Sequence, residues 1–492
     1  MRKDLFPYIL ILCLALQFPF LQSDPDILVD LHTRGAWTDE GLYAAQGRNL
    51  VDAGSFNLRE NSTFVRGPFF GLIQIPFFYV FGTHLIVARL VVLLSLAFSL
   101  TWFYKKYPRQ ELIPVFLLLT TLSQFQLFHF SHYALAEVFC LGLTLLSLVY
   151  FLQWYERYRL GRRPWLSLVK AALFLFLAYS AKIQYLYLAF IPSMVIFLLG
   201  IAQMFRRDGS YRKLATQFAV SVLVMLGFML VYAAWYFMNR DFYDYIMLSE
   251  TSGRFASSWH DLLVTARFNT VAYLWTRETR LLVLLSLLSI PAYLALKRFG
   301  KPGPVMELVF LFGLAWLILE MHKLPMVYLP NRYLLSMFFA MGLVLSAVLA
   351  MLAGEGRYGR MLAYCFVIGM SLVNLSFIYD SYGRRSHDLA AVNKYFSTKD
   401  LGGAYVLGSW SPSFTWETKV KAIPVWHNYF NWFDPVNTFH PRCIITEYNE
   451  AESDHAYAQQ GIKLDSVSDS SRMFRVWRYD VIVYWIKPNP GR

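Results

Sequence analysis

Long apolar segments recur along most of this chain, and several reach or approach the roughly 20 residues that an α-helix needs to cross about 30 Å of hydrocarbon. They fall at 5–22, 84–104, 112–128, 133–151, 165–180, 183–205, 214–237, 281–296, 305–319, 333–352 and 361–378. With 57% of the 492 residues hydrophobic, lipid is the solvent this pattern demands. The predicted fold class is an all-α polytopic membrane protein of about eleven transmembrane helices. The first segment follows Arg2 and Lys3 and has the basic start and apolar core of a signal peptide. No small-x-small cleavage site follows it, so it is read as a retained signal anchor.

Charge supplies the orientation. With the N-terminus in the cytoplasm, the cytoplasmic loops hold Lys105, Lys106 and Arg109; Arg157, Arg159, Arg162 and Arg163; Arg206, Arg207, Arg212 and Lys213; Lys297, Arg298 and Lys301; and Arg357 and Arg360. Each is basic, as the positive-inside rule requires. The net charge of +13 therefore reflects topology first and attraction to anionic membrane lipids second, and no nucleic-acid partner is implied.

The opposite face receives residues 23–83, 239–280 and 380–492. The chain is thus divided into a membrane domain, 1–380, carrying the first external loop 23–83, and an extracytoplasmic C-terminal domain, 381–492, whose short apolar runs and turn signals predict a small α/β fold. Its Trp410, Trp416, Trp426, Tyr429, Trp432 and Phe433 offer faces for stacking on sugar rings, although packing into a core or onto the bilayer interface accounts for them more simply. Cys13, Cys140 and Cys365 fall within apolar segments and only Cys443 lies outside, so no external disulfide is expected.

The most informative stretch runs from Gly35 to Leu50 and predicts an amphipathic helix on the outer surface, with Asp39 and Glu40 at its start and Tyr43 following. Carboxylates there can simply cap free N–H groups and complement the helix dipole. A further acid, Glu137, falls inside the outer part of the fourth apolar segment, where burial is costly unless it meets protein, water or a metal. Arg89, near the outer end of the second, would suffice as a structural partner. Lys182 stands at the outer turn between the fifth and sixth, a place from which lysine can snorkel to the headgroups. The later external loops add Tyr245, Glu250, Arg254 and Phe255, then His322, Lys323, Asn331, Arg332 and Tyr333. Any one of these charges reads as solvated. Acids and cations drawn from many loops to one face would form a cavity suited to a phosphorylated lipid.

In their order, Asp39-Glu40, Arg66-Gly67-Pro68, Phe81-Gly82, Arg89, the run from Tyr133 to Glu137, Lys182, and Glu250 followed by Arg254-Phe255 resemble the GT-C membrane glycosyltransferases. The likeness is to the protein O-mannosyltransferase branch that includes bacterial aminoarabinose transferases acting on lipid A, and it covers residues 1–380. It implies transfer of a sugar from a polyprenyl-phosphate carrier to an acceptor hydroxyl, with inversion, on the outer side of a bacterial plasma membrane. It also implies that Asp39 is the first-loop acid that serves as general base, that Glu137 is the second acid, and that Lys182, Arg254 and Arg89 lie near the carrier phosphate. Arg332 joins these cations by its placement, Glu40 accompanies the catalytic acids, and Tyr43, Glu250, His322 and Lys323 are candidates for positioning substrate. Gly67 departs from the aminoarabinose branch, which favours lysine before the proline.

The chemistry agrees independently. Polyprenyl phosphate leaves as an anion, so fixed cations or a metal suffice to stabilise it and no general acid is needed. An acceptor hydroxyl is a poor nucleophile and requires a base, the role open to Asp39. Two carboxylates also permit a retaining mechanism, or a divalent cation shared by Asp39 and Glu137; no other cofactor is called for. The acceptor is a glycolipid, a glycan or a protein. Two other readings are a secondary transporter or lipid flippase, which commonly shows repeats and polar helices at the midplane, and a non-catalytic glycan-binding protein of the same fold.

Overall fold

The computed structural model describes residues 4–29, 35–54, 67–122, 124–205, 211–239, 255, 258–300, 303–427, 431–448 and 451–487. Hydrocarbon offers backbone N–H and C=O groups no partners, so apolar segments close their hydrogen bonds internally as helices. In chain order these are α1 (Phe6–Gln17), α2 (Gly35–Ala53), α3 (Pro68–Phe81), α4 (Leu85–Lys106), α5 (Leu112–Leu117), α6 (Phe125–Phe130), α7 (Ala136–Arg159), α8 (Trp165–Ala181), α9 (Ile191–Phe205), α10 (Tyr211–Met238), α11 (Trp259–Asn269), α12 (Arg280–Phe299), α13 (Pro304–Glu320), α14 (Leu335–Gly354) and α15 (Arg357–Gly383).

Among the described residues, eight helices are long and apolar enough to cross a membrane. The expected segments 5–22, 112–128 and 165–180 fall on shorter apolar helices, and Pro68–Phe81 adds another. The third segment is interrupted: α5 passes through a π-turn at Leu118–Leu122 before α6 begins. Polar side chains mark the break. Thr120 donates to the Phe116 carbonyl at 2.7 Å and Thr121 to that of Leu117, while Gln124 caps α6 by accepting from the Leu127 N–H at 2.9 Å. Such back-bonding by threonine competes with the helix ladder.

Helices α7 and α14 form the centre. The most apolar windows of their segments are 89% and 100% buried, against 17% for α10, whose exposed Leu223, Leu230 and Val231 face the surroundings that a lipid solvent would fill. Around α14 pack α12, α13 and α15, and around α7 pack α4 and α8. Lys105 and Lys106 close α4, Arg157 and Arg159 close α7, and Lys297 and Arg298 close α12. The result is a multi-pass membrane protein.

Beyond α15, α16 (Asp388–Ser397) leads into a five-stranded mixed sheet. Its strands are β1 (Tyr405–Leu407), β2 (Lys421–Ile423), β3 (Cys443–Glu447), β4 (Ser468–Val476) and β5 (Tyr479–Ile486), ordered β2-β1-β3-β5-β4. Strand β1 runs parallel to β2 and β3, and β5 antiparallel to β3 and β4. This is the small α/β unit expected from the tail. Trp410 is buried in it and donates to Glu447 at 2.7 Å, and Trp416 is buried against Ala44, Phe78 and Ala88 of the helical body, so these two pack rather than present sugar-binding faces. Trp432 stacks on exposed Phe433, and Tyr429 lies outside the described residues. All four cysteines are free.

The tail is tied to the first external segment. Asp24 accepts from the Ser386 hydroxyl at 3.0 Å and the Asp388 N–H at 2.6 Å, capping α16, and Asp26 pairs with Arg384 at 3.1 Å. Trp37 of α2 stacks on Trp477 with centroids 5.3 Å apart, and Ser413 donates to the Trp37 carbonyl at 2.9 Å. Arg48 lies over the Trp416 ring at 4.9 Å. Helix α2 is therefore wedged between the membrane helices and the sheet.

Candidate active site

Helix α2 begins at Gly35, so Asp39 and Glu40 lie beyond its first turn, which holds no acidic residue. The helix-capping explanation for these carboxylates does not apply. Successive helical residues point about 100° apart, and the two acids accordingly meet different partners.

Asp39 accepts from Arg332 with Oδ2 and Nη2 2.8 Å apart. Arg332 sits in the 3₁₀ turn Asn331–Leu334 that leads into α14, and its Nε lies 3.5 Å from Oε1 of Glu137, a separation that is electrostatic rather than hydrogen-bonding. The same Glu137 oxygen accepts from Lys182 at 2.5 Å. Lys182 also donates to the Tyr43 hydroxyl at 3.2 Å and lies over the Tyr43 and Tyr333 rings at 4.7 and 5.2 Å. Asp39, Glu137, Lys182, Arg332 and Tyr43 thus meet from α2, α7, the end of α8 and the start of α14. All but half-buried Tyr43 are buried. Desolvation, opposed by Lys182, pushes the Tyr43 phenol above its ordinary pKa, so it keeps its proton and remains a hydrogen-bond donor. Glu137 Oε2 is buried and without a hydrogen-bond partner among the described residues, which leaves one acceptor of the cluster unfilled.

Lys182 is held by local geometry. It terminates α8 in an extended conformation, and Gly67, just before α3, packs against the preceding carbonyl so closely that a Cβ there would lie 2.2 Å from the Ala181 oxygen. The departure at Gly67 is therefore part of how this chain builds its site: α3 reaches the Lys182 backbone because position 67 has no side chain.

Glu40 and Arg89 form a separate unit. Arg89 Nε and Nη2 donate to Glu40 Oε1 and Oε2 at 2.8 and 2.6 Å, and its Nη1 donates to the Leu21 and Ser23 carbonyls at 2.9 and 2.7 Å. Glu40 Oε1 also accepts from the Ala134 N–H at 2.7 Å. Arg89, expected near a phosphate, and Glu40, expected among the catalytic acids, clamp α2 to α4 and the entry of α7 through these contacts. Arg89 does not pair with Glu137.

Lys323 belongs to a third group. It pairs with Glu320 at 2.7 Å and donates to the Tyr333 carbonyl at 2.7 Å. Glu320 is fully buried and also accepts from Tyr187, Ser336 and Trp316. Sequence reading missed Glu320 because an acid ending an apolar helix looks interfacial; its signal was Lys323 three residues on, the spacing of a helical ion pair. His322 is exposed, edge-on to Tyr187 at 4.6 Å. Tyr333 joins the site through its ring. Glu250 and Arg254 lie outside the described residues, as does Tyr245.

Asp39 and Glu137 share a positive partner, and it is Arg332. A divalent cation between them would compete with Arg332 and Lys182 for the same oxygens, and no group of three or more His, Cys, Asp or Glu side chains comes together among the described residues. This donor set does not fit a shared metal.

A polytopic helical body, an amphipathic helix carrying an acid into a cationic cluster, and a small sheet packed over it form an architecture that matches solved GT-C structures. Two solved structures share it over nearly the whole chain. ArnT from Cupriavidus metallidurans bound to undecaprenyl phosphate matches with a TM-score of 0.57 at 13% identity, covering 98% of both chains, and the same protein in the apo state matches with 0.54 at 13% over 97% of each. The Archaeoglobus fulgidus oligosaccharyltransferase complex with Zn and sulfate matches with 0.51 at 14%, over 89% of this chain and 68% of that one. No family model matches the chain, and no curated protein matches it significantly. At these identities the likeness is one of fold.

Proposed function

We propose that this protein is an integral-membrane glycosyltransferase that moves a sugar from a polyprenyl-phosphate carrier to an acceptor hydroxyl of a glycolipid, glycan or protein. The observation that carries this reading is the buried meeting of Asp39 and Glu137 with Lys182 and Arg332 beneath α2, within a fold shared with ArnT bound to undecaprenyl phosphate. The basic loops favour a bacterial plasma membrane protein with a cytoplasmic N-terminus, the site and the domain at 381–492 being extracytoplasmic.

In the proposed reaction the acceptor oxygen attacks the anomeric carbon of the sugar while Asp39 takes the hydroxyl proton. The bond between that carbon and the carrier oxygen breaks, and its electron pair leaves with the phosphate. Lys182 and Arg332 stabilise the departing anion, so no proton need be supplied to it. Single displacement gives inversion. Glu137 holds both cations at the phosphate, Tyr43 orients Lys182, and Glu40 with Arg89 fixes the helix that presents Asp39.

The test is transfer from a panel of labelled polyprenyl-phosphate sugars by the wild-type protein and Asp39→Asn in lipid nanodiscs, each with the same acceptor extract. Wild type should consume one donor, and the variant should be slower by at least about 100-fold while remaining folded. Substantial activity in the variant would remove Asp39 from the role of base. If wild type consumes no donor under any acceptor or metal condition, the glycosyltransferase reading fails and transport assays take its place.

A further inference from the structure

Arg332 occupies a seat that glycine alone leaves open. A Cβ built on Gly35 would lie 2.0 Å from Arg332 Nη1, 2.6 Å from Cζ and 2.8 Å from Nη2, so the guanidinium rests directly on the α2 backbone. Gly35 and Asp39 are four residues apart and share a helix face. From this seat Nη2 reaches Asp39 at 2.8 Å, Nε faces Glu137 at 3.5 Å, and the guanidinium lies 5.3 Å from the Tyr333 ring.

The placement sets two demands against each other. A carboxylate held by a guanidinium is a weaker base than a free one, because the ion pair favours its charged form. The same guanidinium is assigned to the carrier phosphate, and phosphate oxygens bind arginine through bidentate, charge-assisted hydrogen bonds. Arg332 cannot serve both partners with the same N–H groups. Glu137 and the Tyr333 ring retain it within the site when it leaves Asp39.

We propose that Gly35 seats Arg332 as a latch on Asp39, and that the phosphate of the lipid carrier withdraws it, so that Asp39 becomes available to the acceptor hydroxyl only when donor is in place. The inference rests on the carrier-phosphate reading above and adds to it a competition between Asp39 and phosphate for one arginine.

Competition predicts that loosening the latch tightens phosphate binding, a result that structural damage would not produce. The experiment titrates undecaprenyl phosphate into the intact protein in nanodiscs for wild type, Asp39→Asn, Gly35→Ala, Arg332→Gln and the Asp39→Asn/Arg332→Gln pair. Asp39→Asn and Gly35→Ala should each bind about fivefold tighter or more, and Asp39→Asn should give no gain in the Arg332→Gln background. Gly35→Ala changes no charge, so its gain separates release of Arg332 from relief of repulsion between Asp39 and phosphate. An equal gain from Asp39→Asn with and without Arg332 would overturn the latch, as would unchanged or weaker binding by both single variants. Should Gly35→Ala not fold, the double-variant comparison still decides. Wild type that fails to bind undecaprenyl phosphate overturns the carrier reading itself, whereas wild-type binding without these gains overturns the latch alone.

Discussion

Asp39 and Glu40 carry the same signal in the sequence, two acids side by side in an outer loop, yet the helix sends one to Arg332 and the other to Arg89. That division could not be read in advance, because the phase of α2 depends on where the helix starts and on what packs against it. Glu137 was legible as a charge in the wrong solvent, whereas Lys182 read as a lysine able to snorkel from an outer turn; the structure pairs the two, in place of the Arg89 partner expected for Glu137. The buried Glu40–Arg89 pair behaves differently from the site under substitution. Glu40→Ala should lower stability by about 3–5 kcal/mol, measured as a fall in the unfolding temperature of the purified protein in detergent, whereas Asp39→Asn, which leaves Arg332 an amide oxygen and the neighbouring Glu137 carboxylate, should lower that temperature by less. An Arg89→Ala variant of wild-type stability but weakened donor binding would return Arg89 to the phosphate.

At the scale of elements, apolar runs located the helices, and the polar Thr120, Thr121 and Gln124 mark where one of them breaks. What hydropathy could not convey is how elements meet. The approach of α3 to the end of α8 depends on Gly67, and a side chain there collides with backbone rather than with a flexible group. Gly67→Ala should cost about 1–3 kcal/mol and weaken carrier binding by moving Lys182; a fully stable, fully active Gly67→Lys variant would contradict this packing account. The stack of Trp37 on Trp477 is the corresponding device on the other side of α2. Trp477→Ala should speed amide exchange across 35–53 while strands β3 and β5 keep their protection, and unchanged exchange would mean that the sheet does not hold α2.

For the molecule as a whole, composition announced the membrane, and the alternation of basic loops supplies the orientation proposed for the chain. Peripheral α10 makes that solvent testable: Leu230 is 70% exposed within it, and Leu230→Arg should oppose membrane integration by about 3 kcal/mol, read as a larger fraction released by alkaline extraction. The change from long helices to a small sheet was legible as a change from long apolar runs to short ones, and the last long helix runs on to Gly383, past the boundary drawn at 380. The intimacy of the two parts was not legible, since Asp24, Trp37 and Arg48 reach their partners in the tail through contacts that no local pattern encodes. The hydrogen bond from Ser413 to Trp37 spans 376 positions. At about 5–20 residues per second, the ribosome needs roughly 20–75 s to travel from one to the other. The helix bearing Asp39 is thus made early and seated late, so an interrupted chain has no finished site, and competence to react is the last property the nascent protein acquires.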